Sequence, residues 1–346
     1  MLEMSDKMEK AIIIAVNSNN PTEKFNEELN ELKNLCEACE IEIVDQIIQN
    51  LEQVNPSSYL GKGKVEEIKT ELTRLDINLV ITADEITPLQ LSNLEKLLDA
   101  EVYDRTFVIL EIFRRRAKTK EAILQVEMAT QKYLLPRLVG RHQGFSRQRG
   151  TGGGFARGRG AGEMKLELER RGIYDRMALI KNELDELTHL RKQQRIKRKK
   201  NQMKVVSLVG YTNSGKSSTL NGLLQYSVAI KKEVFEKDML FATLETSTRM
   251  IKTANNLQFL LTDTVGFVSK LPTHLVEAFK GTLEEVKFAD LLIHVVDSSN
   301  NALDIQIQTT YNILKELEVL DKPIITVFNK MDKIDISNIL YDNKYV

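Results

Sequence analysis

A chain of 346 residues holds enough material for two or three domains with cores of their own. Its 49 basic and 49 acidic side chains cancel, and its mean hydropathy is −0.27 with no long apolar run, which excludes a membrane-spanning helix. AIIIAV near the start is a six-residue strand candidate, far short of the apolar region of a secretory signal, so the expectation is a cytoplasmic protein, taken as a monomer.

Residues 1–112 alternate strand and helix patterns. AIIIAV, IEIVDQII and INLVITA have the β-branched runs of buried strands, whereas EKFNEELNELKNL and KVEEIKTELTRL repeat apolar residues at helical spacing. That alternation predicts an amino-terminal α/β domain with a mostly parallel sheet. Cys36 and Cys39 form a CxxC, but a metal site needs two further ligands, and His142, His189, His274 and His294 lie scattered. Small buried thiols on the apolar side of a helix are the better reading. Gly61-Lys62-Gly63-Lys64 opens a helix, where amides and the ammonium groups of Lys62 and Lys64 could hold phosphate. The alternative is a flexible turn with solvated lysines.

Residues 113–200 read as a helical arm. A helix from about Lys118 to Leu135 is expected to stop at Pro136. A second begins near Met164 and carries Leu166, Ile173, Met177, Ile180, Leu184 and Leu187, the seam of a long helical hairpin. Gly172 interrupts it and costs about 1 kcal/mol relative to alanine. Between the helices, residues 140–162 are expected to form a Gly/Arg-rich tip loop. Arg147, Arg149, Arg157 and Arg159 offer phosphate-matching forks, and Phe145 and Phe155 offer stacking surfaces, so this is the candidate RNA contact. A solvated linker is the alternative. The neutral chain concentrates basic charge here and in Arg191–Lys200, the run that closes the arm.

Residues 201–346 carry four ordered motifs. KVVSLV, a buried strand, runs into Gly210-Tyr211-Thr212-Asn213-Ser214-Gly215-Lys216-Ser217, and LNGLLQ begins a helix. A strand, a glycine-bounded loop and a helix N-terminus present backbone N–H groups to phosphates; Lys216 reaches the outer phosphates and the Ser217 hydroxyl ligates Mg2+. LQFLLT leads to Asp263-Thr264-Val265-Gly266, in which Asp263 holds Mg2+ through water and the Gly266 N–H senses a γ-phosphate. IITVF leads to Asn329-Lys330-Met331-Asp332. The Asp332 carboxylate accepts from N1–H and the exocyclic amine of guanine, a donor pair adenine lacks, while Asn329 and Lys330 brace the loop. Together these predict a GTP-directed P-loop domain with a mostly parallel sheet. Phe267 occupies the place of the water-orienting glutamine of Ras-like enzymes and cannot do that work. Asn213 either places a potassium ion that assists hydrolysis or stabilises the loop turn.

GYTNSGKS, LFATLETSTR, LTDTVGFVSKLPTHLVEAFKGTLEEV and LLIHVVDSS resemble the HflX branch of the translation-factor-related GTPases, and so do the amino-terminal strings NPSSYLGKGKVEEI, YDRTFVILEIFRRRAKTKEAILQVEMATQKYLLPRL and GEMKLELERR. The resemblance covers about residues 10–335. It implies that Thr243, within Phe241-Ala242-Thr243-Leu244-Glu245, is the switch threonine that contacts Mg2+. ETSTR stands where the family pattern usually reads DPTTR. The resemblance also implies a factor that binds the large ribosomal subunit and its RNA and, with GTP, promotes dissociation or rescue of stalled or idle ribosomes. Lys62 and Lys64 are further candidate RNA contacts, or else belong to a second, adenine-nucleotide site that the resemblance also implies. Catalytic candidates are Lys216, Thr243, Gly266 and, through a monovalent cation, Asn213.

After NKMD, the string DKIDISNILYDNKYV contains neither a further strand with a Ser-Ala-Lys-like loop nor a closing helix. The expectation is a GTPase domain incomplete at its end, its last strand and helix absent. The competing reading is a non-enzymatic RNA- or ribosome-binding protein with an impaired nucleotide pocket.

Overall fold

The structure, a computed structural model, describes residues 8–18, 20–147, 157–200, 203–227, 241, 247–270, 275, 280–300 and 302–334. It divides into two compact units, Met1–Ile112 with Glu127–Asn182, and Phe113–Val126 with Glu183–Val346.

In the first unit, β1 (Glu9–Asn17) lies inside a four-stranded parallel sheet with β2 (Ile41–Asn50), β3 (Leu79–Thr82) and β4 (Glu101–Asp104), in the order β2-β1-β3-β4. Ala11 to Val16 are all buried, as befits a strand covered on both faces. The crossovers are α1 (Thr22–Ala38), α2 (Lys62–Leu75) and α3 (Pro88–Leu98), followed by α4 (Arg105–Arg116) directly after β4. Val65, Ile68 and Leu72 of α2 pack with Ile12, Ile14 and Val80 of the sheet. A reciprocal capping box between Thr87 and Gln90, with Pro88 in the first turn, starts α3. Cys36 and Cys39 are free and buried, and Cys39 Sγ donates to the Val108 carbonyl at 3.4 Å. Burial pushes the Cys36 thiol up, and among the described residues no group of three or more His, Cys, Asp and Glu side chains is placed to hold a metal ion. The CxxC is a pair of small buried thiols.

Two long helices follow, α5 (Lys120–Arg147) and α6 (Arg157–Lys200). Ion pairs Arg176–Glu127 (2.6 Å), Lys120–Glu183 (2.7 Å) and Arg191–Glu121 (2.8 Å) register them antiparallel. The expected seam is the shielded side of α6: Ile180 is fully buried, and Leu166, Ile173, Met177, Leu184 and Leu187 are half-buried among exposed neighbours. Two expectations are corrected. Pro136 does not stop α5, which continues to Arg147, and α6 begins at Arg157 rather than near Met164. The reason for the first lies one residue on. Arg137 donates to Asp104 Oδ2 at 2.9 Å and to the Ile86 carbonyl at 3.0 Å, which anchors the chain immediately after the proline. Beyond the anchor, each further residue joins an existing helix without a new nucleus. The tip loop of 140–162 is therefore helical at both shoulders, which include Arg147, Arg157 and Arg159; Arg149 and the rest of 148–156 lie outside the described residues.

The second unit holds a five-stranded sheet of β5 (Lys204–Val209), β6 (Ser247–Lys252), β7 (Gln258–Asp263), β8 (Leu291–Asp297) and β9 (Ile324–Asn329), in the order β6-β7-β5-β8-β9. β6 is antiparallel to β7 and every other pairing is parallel. Among the described residues it also holds helices α7 (Lys216–Gln225), α8 (Lys280–Lys287) and α9 (Leu303–Glu316); the segment from residue 335, expected to lack a last strand and helix, lies outside the described residues. Leu220 and Leu224 of α7 pack on Val206, Leu208 and Leu261, while Leu283 and Val286 of α8 and Leu314 of α9 pack with Val205, Val209 and Leu292. Among the described residues no helix is long and apolar enough to cross a membrane.

Candidate functional site

The carboxyl ends of β5, β7, β8 and β9 meet, so residues distant in sequence converge at one edge of the parallel sheet. β5 delivers the loop Gly210–Gly215, which enters α7 at Lys216. Gly215 adopts φ +93°, and a Cβ there would collide with the Asn329 amide, so glycine is required on both counts. Asn213 is exposed with φ +60°, a left-handed conformation that asparagine tolerates.

Lys216 Nζ donates to the carbonyls of Tyr211 at 2.6 Å and Gly210 at 3.2 Å. Burial pushes its ammonium down to about 8, partly opposed by the Asp263 carboxylate. Asp263, at the end of β7, accepts from Ser217 Oγ at 2.6 Å. Burial raises its pKa against the pull of Lys216, Ser217 and the Thr264 amide. Three polar atoms here are buried without a hydrogen-bond partner among the described residues: Asp263 Oδ1, Thr212 Oγ1 and Ser214 Oγ. An orphaned carboxylate oxygen beside a serine hydroxyl forms an all-oxygen donor set that fits a small hard cation.

Thr264 Oγ1 ties the next segment to the Leu208 carbonyl at 2.6 Å, and Val265 is buried. Gly266 presses on the phosphate-loop strand: a Cβ there would sit 2.7 Å from Thr212 Cα and 2.8 Å from Lys216 Nζ. The Phe267 ring turns into the core with Tyr211, Leu283 and Val286, consistent with a residue unable to handle water.

β9 delivers Asn329, whose Nδ2 donates to the Ser214 carbonyl at 2.9 Å. Lys330 pairs with Asp297 at 2.8 Å, and Met331–Lys333 form a 3-10 turn that leaves Asp332 exposed. Asp297 was not singled out by the sequence reading. Its position at the carboxyl end of LLIHVVD, one strand from NKMD, is the signal that finds it, and its other oxygen accepts from Ser299 N at 3.0 Å and Ser299 Oγ at 2.7 Å. His294, one of the four scattered histidines, is buried on β8 with its ring edge-on to Tyr311 at 5.6 Å, and burial pushes it down to about 4.

Phe241 is buried and meets Phe113 edge-on at 4.7 Å. Ala242, Thr243, Leu244 and Glu245 lie outside the described residues. Lys62 and Lys64 open α2 in the first unit, where Lys64 pairs with Glu67 at 2.7 Å. The arrangement at the sheet edge offers N–H donors, an ammonium, a cation-binding carboxylate and, on a braced loop, a second carboxylate facing solvent. These are the chemical needs of a purine nucleotide with its metal.

Three family models match successive parts of the chain: "GTP-binding GTPase N-terminal" over residues 26–114, "GTP-binding GTPase Middle Region" over 116–198, and "50S ribosome-binding GTPase" over 205–330. The chain is 45% identical over 342 residues to a protein named GTPase HflX from Lacrimispora saccharolytica, covering 99% of this chain and 78% of that one. It is 35% identical over 335 residues to the GTPase HflX of Escherichia coli, covering 97% and 76%. A solved structure described as SsGBP in complex with GDP shares 27% identity at a TM-score of 0.53, covering 95% of this chain and 85% of that one.

Proposed function

We propose a function from one premise: the chain belongs to the HflX family of GTPases. It binds GTP and GDP and hydrolyses GTP to GDP and phosphate. The observation that carries this reading is the convergence of Lys216, the Ser217–Asp263 pair and the Asn329–Lys330–Asp332 loop at one sheet edge. Lys216 and the amides of Gly210 to Gly215 hold the phosphates, and Asp332 selects guanine. Ser217 and Thr243 would hold Mg2+ directly and Asp263 through water, and the ion would neutralise charge on the phosphate oxygens. Asn213 either helps a potassium ion take part or simply shapes the loop. The Gly266 N–H reads the γ-phosphate, so nucleotide state is converted into the arrangement of the segment that follows it.

The partner is the ribosome, in keeping with the family model that matches the second unit. The protein acts in the cytoplasm, and three domains divide the work: 1–112, the arm 113–200 and the GTPase from 201. In the GTP state the α5–α6 arm carries its basic tip to RNA of the large subunit and promotes dissociation of stalled or idle ribosomes, and hydrolysis releases it. Replacing Arg147, Arg149, Arg157 and Arg159 by alanine is expected to weaken co-sedimentation with large subunits and flatten its salt dependence, leaving nucleotide affinity near that of the parent. Identical sedimentation of variant and parent at every salt concentration removes the tip from the interaction.

A further inference from the structure

We propose that Tyr211 is a positioning residue that fastens the segment following Gly266 to the phosphate loop, and so sets where the Gly266 N–H stands relative to the Lys216 ammonium. The proposal rests on the nucleotide reading of the site.

Among the described residues, three hydrogen bonds join the two segments. Phe267 N donates to the Gly210 carbonyl at 3.1 Å and Thr212 N donates to the Phe267 carbonyl at 2.7 Å, a short parallel bridge. Both are backbone bonds that nearly any sequence can make. The third depends on a side chain: Ser269 N donates to the Tyr211 phenolic oxygen at 2.6 Å. Tyr211 is 7% exposed, and its ring packs in the same apolar cluster as Phe267, which is 2% exposed. The phenol therefore grips the chain two residues beyond the last backbone bond. A core residue needs only the ring. The hydroxyl adds direction, because it ends on one amide of the segment that leads from Gly266 toward Lys270.

The geometry gives that grip a consequence at the phosphates. Gly266 stands so close to Thr212 Cα and Lys216 Nζ that no side chain fits between them. Rotation of the Phe267–Ser269 segment carries Gly266 with it. A tyrosine in the phosphate loop thus couples the loop that holds phosphate to the one that reads the γ-phosphate. GDP lacks that group, so the phenol matters more for GTP than for GDP.

The test compares full-length Tyr211→Phe and Tyr211→Leu with the parent, using fluorescent GDP, a non-hydrolysable GTP analogue, and GTP hydrolysis with kcat and KM separated. One hydrogen bond corresponds to roughly a three- to tenfold effect. Tyr211→Phe is expected to keep GDP affinity within about twofold. It is expected to lower kcat and analogue affinity by about three- to tenfold and to speed hydrogen exchange at the Ser269 amide. Tyr211→Leu, which also loses the ring, is expected to be more impaired. Unchanged kcat, unchanged analogue-to-GDP ratio and unchanged Ser269 exchange in Tyr211→Phe overturn the proposal. So does equal loss of GDP and analogue affinity, which marks a structural role only. Failure of the nucleotide reading itself shows separately, as absence of GDP and GTP binding by the parent.

Discussion

Replacing Arg137 with methionine removes one half of an ion pair that is almost wholly out of water. Arg137 is 8% exposed and Asp104 is 0% exposed, and the guanidinium also donates to the carbonyls of Ile86 and Tyr133, each at 3.0 Å. It lies over the Tyr133 ring at 3.5 Å, while the Tyr133 hydroxyl donates to Asp104 at 3.0 Å. Methionine fills much of the volume but leaves the carboxylate buried without its cation. Removing one partner of such a pair costs about 3–5 kcal/mol. Asp104 also accepts from Phe107 N at 2.9 Å at the start of α4, so asparagine is the compensating choice. The double variant Arg137→Met with Asp104→Asn carries no uncompensated charge and is expected to recover about half of the loss. The assay is urea unfolding of the full chain, with native-state hydrogen exchange at β4 amides to read the first unit separately. A single variant within about 1 kcal/mol of the parent refutes the reasoning, because the pair is then not what anchors α5. A double variant no better than the single one assigns the cost to lost packing instead.

Gly172 lies inside α6 with nothing within 4 Å of an added Cβ, so Gly172→Ala is expected to stabilise the helix by about 1 kcal/mol, read by thermal unfolding. His294 is held neutral: burial lowers it from 6.5 to about 4, so the folded state resists a proton that the unfolded state accepts. Its contribution is complete above about pH 6.5 and is lost as pH falls toward about 4, amounting to about 3 kcal/mol. His294→Phe is expected to remove that share of the acid sensitivity in parallel urea titrations, and identical slopes count against it. Because Phe267 is turned into the core, basal hydrolysis is expected to be slow; if Asn213 serves a cation, hydrolysis runs faster in potassium than in sodium and Asn213→Gly abolishes the difference.

The strand-loop-helix of KVVSLVGYTNSGKS was legible because its chemistry is local: the strand run, the glycines and the helix start lie within one short stretch of chain. The same is true of DTVG, of NKMD and of the seam on α6. What escaped depends on separation. The Arg137 network joins residues 86, 104, 133 and 137, and no spacing rule links them. The reading of Pro136 as a helix stop followed local cost alone, which the tertiary anchor at Arg137 overrides. α3 and β4 are short and weakly patterned, and the place of β4 in the sheet comes from its pairing with Leu79 to Thr82. Asp297 and the Tyr211–Ser269 bond belong to the same class, since each needs the sheet assembled before its partner is in reach.

Exchange of base specificity is the sharpest test of whether this sheet edge is a guanine-nucleotide site. In such a site the Asp332 carboxylate is expected to accept two hydrogen bonds from guanine; an amide in its place offers one acceptor and one donor, which matches xanthine. Asp332→Asn is therefore expected to weaken GTP binding by at least about 100-fold and to bring xanthosine triphosphate into the range the parent shows for GTP. Competition against a fluorescent guanine nucleotide reads both changes. If ATP competes as well as GTP for the parent, or if Asp332→Asn leaves the preference for GTP intact, the site is not the one described.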